Sequence, residues 1–215
     1  MGTPQNGASG SVKEMSHTNN ALIVFSRNPI LGKVKTRISK TYGDQKALDI
    51  YNKLLLNNAN LIRNLTKIKT FIYYDKYIEN QIYNNKHEKD VQVNGTLGEK
   101  MYHAFLNCKE KGFKNIIIIG SDCPYITPSI IENAFKKLNN HSFVIGPSRD
   151  GGYYLLGMKE IKKELFENKK WGSNMVFKST IKDIEIANKS YCLLEELNDI
   201  DYYKDWLEYE NQLNI

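Results

Sequence analysis

Arg27, Lys33, Lys35 and Arg37 place four cations within the eleven positions from 27 to 37. Lysine offers a compact charge and arginine a bidentate fork, and both suit phosphate oxygens. Gly32 allows backbone amides to approach an anion, and Ser26 stands at the head of the segment. The segment directly follows the apolar run Ala21-Leu22-Ile23-Val24-Phe25. That position favours phosphate binding over a solvated basic loop, although the pattern is neither a Walker loop nor a dinucleotide fingerprint.

Four acidic residues come next. Asp122 lies in Gly120-Ser121-Asp122-Cys123-Pro124, after four consecutive isoleucines. A hard cation such as Mg²⁺ takes carboxylate oxygen and keeps waters and phosphate oxygens as its other ligands. Asp122 suits that role, and a turn-forming Asp is the competing reading. Asp150 precedes Gly151-Gly152-Tyr153-Tyr154, where paired glycines permit close approach of a ligand. Asp150 fits a base or a hydroxyl contact, and equally a tight turn. Asp199 and Asp201 fit a second metal-binding pair, with helix capping the stronger reading from local sequence. Trp171 fits an acceptor pocket or a packed core aromatic equally well. His17, His87, His103 and His141 form no ligand spacing, and His103 falls on a predicted helix as a structural residue. Cys108, Cys123 and Cys192 are dispersed and odd in number. They make neither a disulfide framework nor a zinc site, and point to a reducing cytoplasm. Cys123 reads as a small buried residue rather than a nucleophile.

Strands and helices alternate around these positions. Strands are predicted at 21–25, 70–74, 90–93, 115–119, 142–146, 153–156 and 190–194. Residues 32–43 read as a loop. Helices are predicted at 44–65, 75–86, 97–111, from 128 after the Thr127 cap, 159–166, 174–184 and 201–213. This alternation implies right-handed crossovers and a mostly parallel sheet in one domain. Ligands of such sheets bind beyond the carboxyl ends of the strands.

The chain has 215 residues, of which 41% are hydrophobic and 25% charged, within the ordinary globular range. Residues 1–19 are rich in Gly, Ser, Asn and Thr and lack the apolar core of a signal peptide. They are expected to be a mobile leader ahead of a start near Met15, with the folded domain spanning 20–215. No apolar run approaches the ~20 residues of a membrane helix, so no membrane partner is expected. The net charge of +6 comes without a nucleic-acid-binding motif, so no nucleic-acid partner is expected either. Oligomeric state is not legible.

Four motifs in order carry a resemblance: Pro-x-x-Gly-Lys-Val-Lys-Thr-Arg, Leu-Gly-Glu-Lys-Met, Gly-Ser-Asp-Cys-Pro and Asp-Gly-Gly-Tyr-Tyr-Leu-Leu-Gly. They resemble a bacterial family of GT-A-fold glycosyltransferase-like proteins, some labelled arsenosugar-biosynthesis glycosyltransferases, over about residues 20–210. The resemblance implies a single-domain, Rossmann-like three-layer α/β sandwich of the nucleotide-diphospho-sugar transferase type. A short antiparallel element near the acceptor side is part of that expectation. It implies that Lys35 and Arg37 meet donor phosphates, that Asp122 stands at the metal-binding acid, that Asp150-Gly151-Gly152 shapes the sugar or acceptor side, and that Asp199 and Asp201 form the acidic motif before the last helix. Joined to the residue readings above, this gives nucleotide or phosphate binding by Ser26, Arg27, Lys33, Lys35 and Arg37, a Mg²⁺ or Mn²⁺ site at Asp122 and Asp201, a sugar or acceptor side of Gly151, Gly152, Tyr153 and Trp171, and catalytic roles for Asp150 and Lys35. The metal loop reads Ser-Asp-Cys rather than Asp-x-Asp, which leaves one carboxylate there. The implied activity is glycosyl transfer from a nucleotide sugar to a small-molecule acceptor. The alternatives are nucleotidyl transfer to a phosphorylated small molecule, as in phospholactate guanylyltransferases with their similar Lys-Thr/Ser-Arg loop, and nucleotide binding without catalysis.

Overall fold

Four isoleucines in a row bury side chains on both faces of a strand, so the strand that carries them belongs inside a sheet with helices on each side. A computed structural model, which describes residues 18–213, has that arrangement. Seven strands run in the order β3-β2-β1-β4-β6-β5-β7. They are β1 (Asn20–Ser26), β2 (Lys69–Tyr74), β3 (Glu88–Val91), β4 (Asn115–Gly120), β5 (Phe143–Pro147), β6 (Tyr153–Met158) and β7 (Tyr191–Leu193). All neighbours pair in parallel except β6, which is antiparallel to both β4 and β5. This is the expected α/β architecture with its short antiparallel element.

The helices are α1 (Thr36–Tyr42), α2 (Asp44–Arg63), α3 (Leu97–Glu110), α4 (Pro128–Leu138), α5 (Val176–Ile186) and α6 (Tyr203–Leu213). Alternating strand residues sort to two faces. Leu22, Val24, Ile117 and Ile119 pack with α2 and α4. Ala21, Ile23, Ile116 and Ile118 pack with α3 and α5. A third cluster, including Val34, Ile38, Leu54 and Trp206, joins α1, α2 and α6.

Several boundaries differ from those expected. Residues 75–86 form bends and turns rather than a helix. Side chains there capture backbone amides that a helix would use: Glu79 accepts from the amides of Gln81 and Ile82, and Asn84 from that of Lys86. The predicted loop at 32–43 contains α1, anchored by the buried Val34 and Ile38. Of the helix expected at 159–166, only a short 3₁₀ turn at Lys163–Phe166 forms. α5 starts at Val176, two residues late. The expected leader lies outside the described residues up to position 17, as does His17. The fold's own hydrogen bonds start two residues before the expected boundary: Thr18 Oγ1 donates to Lys67 O at 2.8 Å, and Asn19 O accepts from Lys114 and Asn115. Among the described residues, no helix is long and apolar enough to cross a membrane.

Phe105 on α3 is fully buried and packs against Phe166 with ring centroids 5.7 Å apart. Phe105→Ala is expected to cost about 3–5 kcal/mol, measured by urea denaturation. A loss under 1 kcal/mol would mean that the packing of α3 on the 3₁₀ turn at Lys163–Phe166 contributes little to the core.

Candidate active site

The parallel pairing of β1 with β4 sets Phe25 beside Gly120, so the segments after these strands leave the sheet side by side. The β5–β6 turn opens at the same edge, where Pro147 pairs with Tyr153. A cleft follows that edge. Its larger chamber, about 610 Å³, is lined by Ser26, Arg27, Lys35 and Arg37 together with Asp122, Asp150 and Asp201.

The basic segment is held by buried polar contacts. Asn28 is 2% exposed. Its side-chain oxygen accepts from the amides of Lys76 and Tyr77 at 3.1 Å each, and its Nδ2 donates to Tyr77 O at 2.9 Å. The backbone amide of Asn28 donates to Asp75 at 2.7 Å. Tyr51 on α2 accepts from the Arg27 amide at 2.9 Å and lies 3.2 Å from Ser121 Oγ. It thereby links the loops after β1 and β4. Burial pushes the Tyr51 hydroxyl pKa up, which keeps the hydroxyl protonated and able to serve both neighbours.

Lys35 adopts a left-handed backbone, φ 45°, at the N-cap of α1. This turns its side chain inward, where it is 6% exposed, and Nζ donates to Asp122 Oδ2 at 3.0 Å. Asp201 Oδ1 lies 3.9 Å from the same nitrogen, and Arg37 pairs with Asp201 while covering the Tyr202 ring at 5.4 Å. Burial alone would lower the Lys35 pKa, but the Asp122 carboxylate opposite it prevails and the value rises. Burial alone would raise Asp122, yet Lys35 pulls it below the usual carboxylate range. Asp199 instead accepts from Ser148 Oγ at 3.1 Å. Burial, with Asp122 nearby, raises its carboxyl to about 7.

Two carboxylate oxygens thus converge on one cationic point. That donor set fits a hard divalent ion, which uses one or two protein carboxylates and completes its shell with phosphate oxygens and water. Among the described residues no group of three or more His, Cys, Asp or Glu side chains could hold a metal. Any such ion would therefore compete with Lys35 for Asp122 and Asp201.

A smaller chamber of about 240 Å³ adjoins the larger one and is lined by Gly152, Tyr153 and Trp171, with Asp150 and Gly120 shared between the two. Gly151, φ 87°, does not line it. Its carbonyl accepts from the Phe177 amide at 2.9 Å, and so ties the glycine turn to the start of α5. Asp150 Oδ1 accepts from the Gly152 amide at 2.8 Å. Lys33 is exposed and lines neither chamber. Cys123 is buried, with its thiol pKa raised by desolvation, and Sγ lies 3.6 Å from Asn198 O.

Sequence reasoning passed over Asn28, Tyr51, Asp75 and Lys100. Lys100 was legible in principle: Leu-Gly-Glu-Lys-Met opens α3 behind a Thr96–Glu99 capping box, and Leu97 and Lys100 both line the larger chamber. Tyr51 had no signal beyond its place on an apolar helix face.

Residues 60–173, more than half of the chain, match the family described as "uncharacterized protein conserved in bacteria (DUF2064)". The chain is a member of DUF2064. A stretch of 99 residues is 36% identical to the 2-phospho-L-lactate guanylyltransferase of Methanocaldococcus jannaschii. That stretch is 44% of this chain and 41% of the relative, so the match spans less than half of the curated enzyme's length. The DUF2064 chain superposes on a structure from Desulfovibrio desulfuricans G20, described as a nucleotide-diphospho-sugar transferase, with TM-score 0.81 and 25% identity over 86% of this chain and 84% of that one. A nucleotidyl transferase from Methanothermobacter thermautotroptrophicus shares the fold at TM-score 0.61 and 9% identity, covering 89% and 96% of the two chains. Family and fold together place this DUF2064 chain in the GT-A-like nucleotide-diphospho-sugar transferase superfamily.

Asn28→Ala removes three buried hydrogen bonds between the loops after β1 and β2. It is expected to lower stability by about 1–3 kcal/mol, measured by urea denaturation. An unchanged midpoint would mean that water replaces the amide and that the basic segment is positioned by other contacts.

Proposed function

We propose that the chain is a divalent-metal-assisted transferase that moves a glycosyl group from a nucleoside-diphosphate sugar to a small acceptor. The observation that carries this reading is the meeting of Lys35 with Asp122 and Asp201 in a chamber also lined by Arg27 and Arg37. Cations and carboxylates side by side suit a diphosphate bound together with a metal ion. The likeness to the Desulfovibrio protein, over most of both chains, supports the same donor class.

The roles follow from position. Ser26, Arg27, Lys35 and Arg37 hold the phosphates, and their charge offsets the charge that develops on the departing nucleotide. One well-placed donor of this kind contributes about 2.7–4 kcal/mol to a transition state. Asp122 and Asp201 would hold Mg²⁺ or Mn²⁺, which supplies Lewis-acid stabilisation of phosphate oxygens when bound. Asp150, at the junction of the two chambers, accepts the proton of the acceptor hydroxyl. Gly152, Tyr153 and Trp171 form the acceptor wall, and Gly151 holds its turn in place. Lys33 adds to the local positive potential from outside the cleft.

A second reading, nucleotidyl transfer from a nucleoside triphosphate with release of pyrophosphate, is favoured by the 36% identity to a guanylyltransferase. The products separate the two. Free nucleoside diphosphate from a nucleotide sugar supports glycosyl transfer, and pyrophosphate from a triphosphate supports the alternative; both are resolved by phosphorus NMR.

Asp122→Ala is expected to weaken Mn²⁺-dependent nucleotide binding at least about tenfold in calorimetry, a loss of about 1.4 kcal/mol. Affinity equal to that of the parent protein in the presence of Mn²⁺ would remove Asp122 from the site.

A further inference from the structure

Both chambers carry acids, but among the described residues the cations line the larger one, where they stand with Asp75, Asp122, Asp150 and Asp201. Arg27, Lys35, Arg37 and Lys100 line the larger one. Among the described residues no lysine, arginine or histidine lines the smaller one, whose acidic side chains are Asp150 and Asp199. Its remaining surface is largely apolar, with Phe25, Met101, Tyr153, Trp171 and Val176 contributing.

The aromatic wall is built to stay in place. A Cβ at Gly98 on α3 would overlap Phe166 O and come within 2.9 Å of the Trp171 indole. Trp171 therefore lies directly on a helix backbone that only glycine leaves accessible. Tyr153 is held from the other side, its hydroxyl directed at Met101 Sδ at 3.9 Å.

We infer that the part of the acceptor lying in the smaller chamber is an apolar ring or short chain that carries no negative charge. This rests on the assignment of that chamber to the acceptor under the proposed function. An apolar cavity of about 150 Å³ admits benzene, so 240 Å³ accommodates a substituted ring. A carboxylate or phosphate on that ring would lose its hydration, face Asp150, and find no cation among the described lining residues. A neutral or ammonium substituent escapes this penalty, and the latter gains from Asp150 and the aromatic faces. The nucleophilic end of the acceptor points back to Asp150, where the two chambers meet. Selection thus works by exclusion, through unpaired charge set against the wrong acceptor.

The test uses benzyl alcohols with hydroxymethyl, aminomethyl or carboxylate groups at the para position, together with 2-phospho-L-lactate. Each is titrated into the full chain by ligand-observed NMR, with and without a nucleoside diphosphate and Mn²⁺. The neutral and ammonium compounds are expected to bind. The carboxylate and 2-phospho-L-lactate are expected to bind at least about tenfold more weakly. Ser173→Lys, which adds a cation to the chamber lining, is expected to shift the preference about tenfold toward the carboxylate. A carboxylate bound as tightly as the neutral compound by the parent protein would overturn the inference, as would the absence of binding by all three alcohols at millimolar concentration. Nucleotide affinity is read separately in the same samples. Its loss with the alcohol series intact would defeat the donor assignment and leave the chamber's selectivity standing.

Discussion

An ammonium withdrawn from water needs a carboxylate, and the withdrawn ammonium of Lys35 meets two. Asp122 arrives from the end of β4 and Asp201 from the segment before α6, so one cation ties three distant stretches of chain together. The contact is electrostatically tight yet open on one side, since the Asp122 side chain remains 42% exposed. Under the proposed function, the same three groups that stabilise one another here are those a phosphate and a divalent ion would engage. Binding then exchanges partners among charges already in position rather than gathering them from solvent, which limits the ordering cost of association.

That meeting depends in turn on strand order. β1 and β4 are neighbours although α1, α2, α3 and two strands separate them in sequence. The chain runs outward through β2 and β3 and then back to the other side of β1. The result sets the loops that follow the two central strands against each other. Tyr51 bridges them from above, hydrogen-bonded to Arg27 and within reach of Ser121.

Much of the fold was legible because burial on both faces leaves an unmistakable mark: Ile116 to Ile119 and Ala21 to Val24 read as central strands, and they are. The Thr127 cap and Pro128 start of α4 were equally readable from local chemistry. Residues 75–86 were misread because their polar side chains satisfy their own backbone, a competition that periodicity does not register. In the cleft, residue type and loop position brought Arg27, Lys35, Arg37, Asp122, Asp150 and Asp201 into view. The contact of Lys35 with both acids lay beyond the sequence, since it arises from a left-handed backbone at a lysine. Asn28 and Tyr51 were invisible for a related reason, because their importance comes from what folds over them.

The reversed direction of β6 has a consequence for how such a protein can diversify. A strand between parallel neighbours is normally reached by a long crossover, but β6 is entered through a five-residue turn from β5, residues 148–152. The turn contributes Asp150 and Gly152 to the lining of the smaller chamber, while the loops after β1 and β4 contribute Arg27, Lys35 and Asp122 to the larger one. Lengthening or recomposing this hairpin tip would reshape the smaller chamber and, through Asp150, the rim it shares with the larger one, while Arg27, Lys35 and Asp122 lie on loops outside the tip. Under the proposed function, acceptor choice is written largely in this tip and donor chemistry in the loops after β1 and β4, so that outside the shared Asp150 one can drift while the other is held fixed.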